Sequence, residues 1–326
     1  MKVKKILTAN VDFSYNYHWN KIADHIGKYD KKWHTRKLFG KVYKLFIIGK
    51  KYDVIVFNYD VRLAFLCALF LRIFCFKKNA IKIVFITLLI DVSIFNKKSF
   101  LHFIFYYIFV RLQHKIIVHT KEEITIYRKT FKIIPKNKFI YIPYFYYQDN
   151  SIITTNRNKK KYILCAGNHR DIGTFVNAMS YLKNYNGVVI AGEGDRLIWE
   201  NNNEVNIDFF FNLSYKKYKQ YIADAMALVV PINNTKLKRS LGIIATFQAV
   251  SLDIPVIAAD TFHLQDYFSK NDINYYKSED STCLADTINQ VVKNYKASKN
   301  KVKVAKIKLY QYYTIDNFIT ALTHVC

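Results

Sequence analysis

The sequence predicts an α/β protein built from two doubly wound parallel-sheet domains that face a cleft, and three observations predict it. Short apolar runs alternate with helix-length segments along the chain, the pattern of a parallel sheet covered by helices. The length of 326 residues suits two domains of ordinary size. A polar stretch without periodicity, residues 148–161 (QDNSIITTNRNKKK), interrupts the alternation near the midpoint and reads as a linker.

In the first half, strands are predicted at 3–9 (VKKILTA), 53–58 (DVIVFN), 82–88 (KIVFITL), 115–119 (KIIVH) and 139–143 (FIYIP), with helices at 17–27, 61–75, 99–112 and 121–130. Thr120 followed by Glu123 has the spacing of a capping box and places a helix start directly behind the strand IIVH. Past the linker the alternation restarts, with strands at 162–166 (YILCA), 188–191 (VVIA), 227–231 (ALVVP) and 255–259 (PVIAA). Helices are predicted at 173–184, 215–224, 242–252, 283–297 and 314–325. An N-terminal domain thus covers 1–150, a linker 151–161, and a second domain begins at 162.

Composition narrows the function. Apolar residues make up 51% of the chain against 9 Gly and 4 Pro, which excludes disordered, collagen-like and mucin-like classes. The formal net charge of +26 predicts an anionic partner, whether nucleic acid, phospholipid headgroups or a phosphorylated substrate. Residues 1–150 hold 28 basic against 9 acidic side chains and residues 151–326 hold 22 against 15, so the N-terminal half is the expected docking surface. The abundance of Lys, Ile, Asn, Tyr and Phe, all with AT-rich codons, offers genomic bias as a second source of the excess. Nucleic acid is not expected as the partner: there is no zinc spacing, no helix-turn-helix cue and no RNP-like strand, and the basic residues are scattered.

Five cysteines without paired spacing read as reduced, mostly buried thiols in a cytoplasmic protein, and the N-terminal residues lack a signal-peptide core. Residues 61–76 carry Arg62 and Arg72 and residues 100–110 are short, so neither reads as a membrane span. They read as core helices or as a surface resting on a bilayer, the latter supported by the flanking Lys77, Lys78, Lys97 and Lys98.

Ligands of open parallel sheets sit at the carboxyl ends of the strands, and there the second half concentrates its chemistry. The strand YILCA runs into Gly167-Asn168-His169-Arg170-Asp171 and a helix start. VVIA leads to Gly192-Glu193-Gly194-Asp195. In RSLGIIATFQAVSLDIPVIAAD, residues 239–260, Gly242 opens a helix that carries Gln248. Each turn combines close backbone approach with free helix amides, and Arg170 adds a bidentate phosphate ligand. Together they suit a diphosphate.

This order of elements resembles the nucleotide-sugar-binding domain of GT-B glycosyltransferases, two Rossmann-like domains facing a cleft, and in particular the retaining family-four type, the group 1 glycosyl transferases. The resemblance is carried by the strand-Gly-x-x-Arg-Asp and strand-Gly-x-Gly turns, the Leu213-Ser214 helix start, the strand ending at Pro231, and Gly-x5-Gln-Ala ahead of Pro-Val-Ile. In the first half KIIVHTKEE followed by FIYIPYFY resembles the end of the family's acceptor domain. The final helix, in 311–326, sits where such proteins send the chain back to the first domain, leaving 162–310 as the donor domain.

The resemblance implies a hexosyltransferase that moves a sugar from a UDP- or GDP-linked donor to a glycan or lipid-linked acceptor in cell-surface polysaccharide synthesis. It implies retention, no metal and no cofactor. Arg170 and Asp91 are the expected catalytic residues. Gly167, Asn168, Gly192, Gly194, Ser214, Arg239, Ser240, Gly242 and Gln248 are expected on the donor, and Asp12 and His119 on the acceptor side. As residue types, Asp12 and Asp91 read equally as helix caps or loop carboxylates. The second phosphate cation is Lys236, Lys238 or Arg239. Two family glutamates spaced eight apart are Ser240 and Gln248 here; Gln248 keeps an amide oxygen for a ribose hydroxyl, while Ser240 cannot act as a bidentate acceptor. That departure also admits a non-catalytic relative that binds nucleotide or glycan as an assembly partner. The charge asymmetry adds peripheral attachment to the inner face of the plasma membrane.

Overall fold

The computed structural model describes residues 5–9, 17–21, 23–26, 37–58, 60–74, 81–88, 100–147, 162–200, 206–233 and 241–326. The chain divides into two compact units, Met1–Pro143 with Ile315–Cys326, and Tyr144–Thr314. The expected linker, 151–161, lies outside the described residues.

The first unit holds six strands, β1 (Ile6–Ala9), β2 (Ala23–Ile26), β3 (Val54–Asn58), β4 (Lys82–Ile86), β5 (Lys115–Val118) and β6 (Phe139–Tyr141), in the order β2-β1-β3-β4-β5-β6. Every pair is parallel. Its helices are α1 (Tyr17–Asn20), α2 (Leu38–Gly49), α3 (Val61–Phe74), α4 (Phe100–Leu112) and α5 (Lys121–Thr130). β3 reads as an unbroken apolar run because both faces are covered: Val54 to Phe57 are fully buried.

Two expectations fail here. A single helix over 17–27 is replaced by the short α1 and the edge strand β2, and α2 has no counterpart among the predicted elements. β2 (ADHI) is held by its pairing with β1 and by Thr8 Oγ1 donating to the Asp24 carbonyl at 3.1 Å. Long-range pairing overrides a local pattern that four residues are too few to define. The capping box forms as predicted: the Thr120 hydroxyl accepts from Glu123 N at 3.2 Å, and Glu123 Oε2 accepts from Thr120 N at 3.0 Å.

The second unit repeats the plan with β7 (Tyr162–Ala166), β8 (Asn186–Ala191), β9 (Ile207–Phe211), β10 (Ala227–Val230), β11 (Val256–Ala259) and β12 (Asn274–Tyr276), ordered β12-β11-β10-β7-β8-β9 and again parallel. Its helices are α6 (Ile172–Ser180), α7 (Glu193–Trp199), α8 (Tyr215–Asp224), α9 (Ile243–Ser251), α10 (Phe262–Gln265), α11 (Ser281–Lys293) and α12 (Tyr295–Tyr312). β9, β12, α7, α10 and α12 are additions to the predicted set. α12 carries six lysines that mask its helical signal, yet it buries Ser298, Val302, Ala305 and Leu309 on one stripe. Tyr144 and Tyr146 of the Tyr-rich segment pack in this unit: Tyr144 N donates to Tyr267 Oη at 2.8 Å, and Tyr146 N to the Tyr313 carbonyl at 2.7 Å. The last helix, α13 (Ile315–Val325), belongs to the first unit, where Phe318 lies 6.3 Å from the His119 ring.

Both units follow the α/β plan of two Rossmann-like sheets. Among the described residues no helix is long and apolar enough to cross a membrane. Cys67, Cys165 and Cys326 are buried free thiols and Cys283 is partly exposed.

His119 ties three strand ends of the first unit. Its Nδ1 donates to the Ile142 carbonyl at 3.0 Å, which fixes the tautomer and leaves Nε2 to accept from the Thr87 hydroxyl at 2.8 Å. Burial lowers its pKa, opposed by Glu123 and by the Ile142 bond. An imidazole held neutral in the folded chain but free to charge when unfolded weakens the fold as pH drops below the unfolded value of ~6.5, by up to about 1.4 kcal/mol per pH unit. Urea midpoints measured between pH 8 and pH 5.5 are therefore expected to fall, and the His119→Gln variant, less stable at pH 8, is expected to show a smaller fall.

Candidate functional site

The expected donor residues that the structure describes follow the carboxyl ends of β7, β8, β9 and β10 in the second unit. β7 ends at Gly167, whose φ of 113° lies in the left-handed region. Gly167 N donates to the Ile190 carbonyl at 2.9 Å, which ties the turn to β8. The chain then doubles back so that the Arg170 guanidinium covers the turn: Nε donates to the Ala166 carbonyl at 2.9 Å and a terminal nitrogen to the Asn168 carbonyl at 3.1 Å. A Cβ on Gly167 would come within 2.5 Å of that guanidinium, so glycine is required for the arginine as much as for the backbone.

Among the described residues no carboxylate pairs with Arg170. Burial lowers its pKa, while the neighbouring Tyr218 and Cys165 raise it; a guanidinium nonetheless stays charged at working pH. Two carbonyls fix its orientation without neutralising it, the condition of a cation kept for an anion supplied from outside.

The three turns are not equivalent. Asp171 caps α6, its carboxylate accepting from Thr174 N at 3.2 Å and from the Thr174 hydroxyl at 2.7 Å. The first turn thus fills its own helix N-terminus and offers Arg170 alone. The second turn leads into α7, a seven-residue helix with Glu193 and Asp195 in its first turn, which repel an anion. Gly192 serves packing: a Cβ there would lie 2.7 Å from Asn168 Oδ1, whereas a Cβ on Gly194 would meet nothing. The third turn is open. Gly242, at φ 79°, caps the nine-residue α9 without any side-chain hydrogen bond, and a Cβ there would press within 2.6 Å of Val230. Gly242 has no side chain with which to cap the first amides of this helix. β10 lies beside β7, and Asp171 N donates to the Pro231 carbonyl at 3.0 Å, so the open helix start and the unneutralised arginine sit on neighbouring strand ends.

Two turns farther along α9, Gln248 is 5% exposed. Its Nε2 donates to the Tyr215 hydroxyl at 3.3 Å, and its buried Oε1 has no partner. Turned over, the amide would take the Tyr215 proton and leave its NH2 unpaired; either way one buried polar group awaits a ligand. Ser214 caps α8 by accepting from Lys217 N at a long 3.5 Å. Tyr215 and Tyr218, which the sequence reading treated only as part of a helix, are brought to the site by this start, one onto Gln248 and one beside Arg170.

Arg239 and Ser240, with Lys236 and Lys238, fall in 234–240, and Asp91 and Asp12 fall in 89–99 and 10–16, all outside the described residues. His119 belongs to the first unit, buried with both ring nitrogens engaged as described above. It presents no free ring nitrogen to an acceptor, so its role there is to hold strand ends together.

Residues 148–308 match the family Glycosyl transferases group 1. No curated protein matches the chain by sequence. Among solved structures, Anabaena HepE in complex with UDP-glucose is similar at a TM-score of 0.71 and 13% identity, over 98% of each chain. Sucrose-phosphate synthase from Thermosynechococcus elongatus is similar at 0.66 and 16%, over 89% of this chain and 78% of its own. A glycosyltransferase from Rickettsia africae is similar at 0.64 and 10%, over 98% and 88%. Its two Rossmann-like units have the fold of the GT-B glycosyltransferases among these neighbours, and over residues 148–308 the chain is a glycosyltransferase of the Glycosyl transferases group 1 family.

Proposed function

We propose that the chain transfers a hexose from a UDP-linked donor to a glycan or lipid-linked acceptor of cell-surface polysaccharide synthesis, working from the cytoplasmic face of an anionic membrane. The observation that carries this reading is Arg170, fixed by two carbonyls, unpaired with any carboxylate among the described residues, and set on the strand end next to the start of α9, which Gly242 leaves without a side-chain cap. UDP is favoured over GDP because the HepE structures hold UDP and UDP-glucose.

Glycosyl transfer breaks the bond between the anomeric carbon and the β-phosphate oxygen, and negative charge grows on the departing diphosphate. The guanidinium and the α9 amides meet that charge where it develops, the electrostatic stabilisation that supplies much of such catalysis. A second cation from Lys236, Lys238 or Arg239 completes the cradle, and no metal is needed in this scheme. Gln248 takes a ribose hydroxyl on Oε1, which removes the cost of an unsatisfied buried acceptor, about 1–3 kcal/mol. In this scheme Ser240 serves the donor sugar, Asp91 orients the acceptor hydroxyl, and the product keeps the donor's anomeric configuration.

Calorimetry with UDP and UDP-sugars tests the site. Arg170→Ala is expected to weaken UDP about 10- to 100-fold, the worth of a charge-assisted bond, and Arg170→Lys to restore only part of it. Binding of no nucleotide, or binding indifferent to Arg170→Ala, contradicts the reading.

A second variant separates the ribose contact from folding. Gln248→Leu removes a buried amide that is half-satisfied in the free protein. Its stability is expected to stay within about 1 kcal/mol of the parent, while UDP affinity drops about 5- to 10-fold. Sugar transfer from radiolabelled UDP-sugar, with the product anomer read by NMR, distinguishes a retaining transferase from an inverting one and from a binding protein that makes no product.

A further inference from the structure

We propose that the outer face of α2, α3 and α4 in the first unit is the surface that seats this chain on an anionic lipid bilayer. The inference rests on the membrane-attached reading above and names the part of the chain that makes the contact.

α4 is the central observation. FLHFIFYYIFVRL is apolar around its whole circumference, a composition that belongs to a fully buried helix, yet only Phe109 and Val110 are buried. Phe100 and Leu101 are 77% and 76% exposed, and Ile108 continues their strip. α2 adds a second strip, with Phe39, Tyr43 and Ile47 exposed at four-residue spacing, and α3 ends on the exposed Phe74. α2 packs on α3 and α3 on α4, so the strips lie on one helical layer. Ring contacts bind the layer together: Phe46 sits 5.8 Å from Phe74, and Phe65 sits 4.9 Å from Phe105. Between the first turns of α3 and α4 a groove of about 790 Å³ opens, its lining mostly apolar (Phe65, Leu101 and Phe105 among others) with Asp60, Arg62 and His102 among its charged or titratable members. That is room for part of an acyl or isoprenoid chain.

The charges on this layer select the occupant. Residues 38–49, 61–74 and 100–112 contain no Asp or Glu, while Arg62, Arg72 and Arg111 are exposed among the apolar side chains. At one end Arg72 reaches across to the Leu112 carbonyl at 3.3 Å, and Lys115 and Lys138 gather beside it. Lys138 feels the crowd: burial first, then Arg72, Lys115 and Arg111, pull its pKa down to about 8. Apolar rings edged by cations are the composition of an interfacial surface that inserts between lipid headgroups and pairs with their phosphates. A bilayer fits better than a second copy of the chain: a self-complementary contact would set Arg62, Arg72 and Arg111 against their own copies, and the carboxylate at the groove, Asp60, already accepts from Leu63 N at 3.0 Å at the start of α3.

Co-sedimentation of the full chain with phosphatidylglycerol–phosphatidylcholine vesicles, and with pure phosphatidylcholine, tests the surface. The expected result is binding to the anionic vesicles that weakens at raised salt. Both Phe100→Ser with Leu101→Ser and Arg62→Glu with Arg111→Glu are expected to lower partitioning about tenfold or more while UDP binding, which reports a folded second unit, stays unchanged. The residues changed are exposed, and circular dichroism checks that the first unit remains folded. Parent binding that neither pair weakens overturns this surface and leaves membrane attachment standing. Failure of the parent to bind anionic vesicles overturns both. Equal binding to neutral vesicles, or a dimer in solution that the Phe100 and Leu101 changes dissolve, overturns the assignment of an anionic bilayer as the occupant.

Discussion

The site depends on a single backbone constraint, the left-handed turn at Gly167. Only that conformation lets the chain leave β7 and fold Arg170 back over its own strand end, and only the missing Cβ leaves room for the guanidinium, which a methyl group would approach to 2.5 Å. The same turn is braced on both sides, by Gly167 N on the Ile190 carbonyl of β8 and by Asp171 N on the Pro231 carbonyl after β10. Position of the cation is therefore set by the sheet and not by side-chain rotamer choice alone. Such preorganisation is what makes a charge effective in catalysis, since no reorganisation has to accompany the growth of charge on the leaving group.

Capping then decides which helix serves the ligand. All three turns of the second unit share glycine and a following helix, so in composition they are alike. Their starts differ: Asp171 occupies the start of α6, α7 and α9 both begin without a side-chain cap, and of those two only α9 has no acidic residue in its first turn. An uncapped start costs stability in the free protein, and the arrangement is coherent if a phosphate supplies the missing acceptors. The buried, unpartnered Gln248 Oε1 on the same helix follows the same logic with a hydroxyl as the missing donor.

What the sequence made legible follows the size of each signal. The central strands read cleanly because burial on both faces gives continuous apolar runs, and the Thr120–Glu123 box read cleanly because its spacing has one structural meaning. Edge elements did not. β2 is four residues whose strand character exists only beside β1, and α12 hides an apolar stripe among six lysines that solvent tolerates. The glycines were found as turns, but their reasons were not legible. Gly167 makes way for Arg170, Gly192 for Asn168 and Gly242 for Val230, while Gly194 makes way for nothing. Those reasons are three-dimensional contacts between residues close in space and, except for Gly167, distant in sequence. Tyr215 and Tyr218 were missed for a related cause: at the start of an amphipathic helix a tyrosine looks like surface packing until its hydroxyl has a partner.

The glutamine at position 248 is the departure from the family pattern that the structure explains most directly. α9 is buried along its length, with Phe247 set among Tyr267, Phe268 and Tyr313 on the side next to Gln248. A carboxylate at this depth would lose its hydration, and the Tyr215 hydroxyl, which accepts from Gln248 Nε2 and would have to turn its proton toward a carboxylate, is a poor substitute for a countercharge. An amide retains an acceptor for a hydroxyl, carries no charge to desolvate, and would bring no negative field toward the diphosphate that the proposed function assigns to Arg170. It gives up the stronger bond that an ionised acceptor makes. In the proposed scheme the exchange lowers the worth of a ribose contact and leaves a diphosphate as the principal handle on the donor, which would place the burden of recognition on Arg170 and the start of α9.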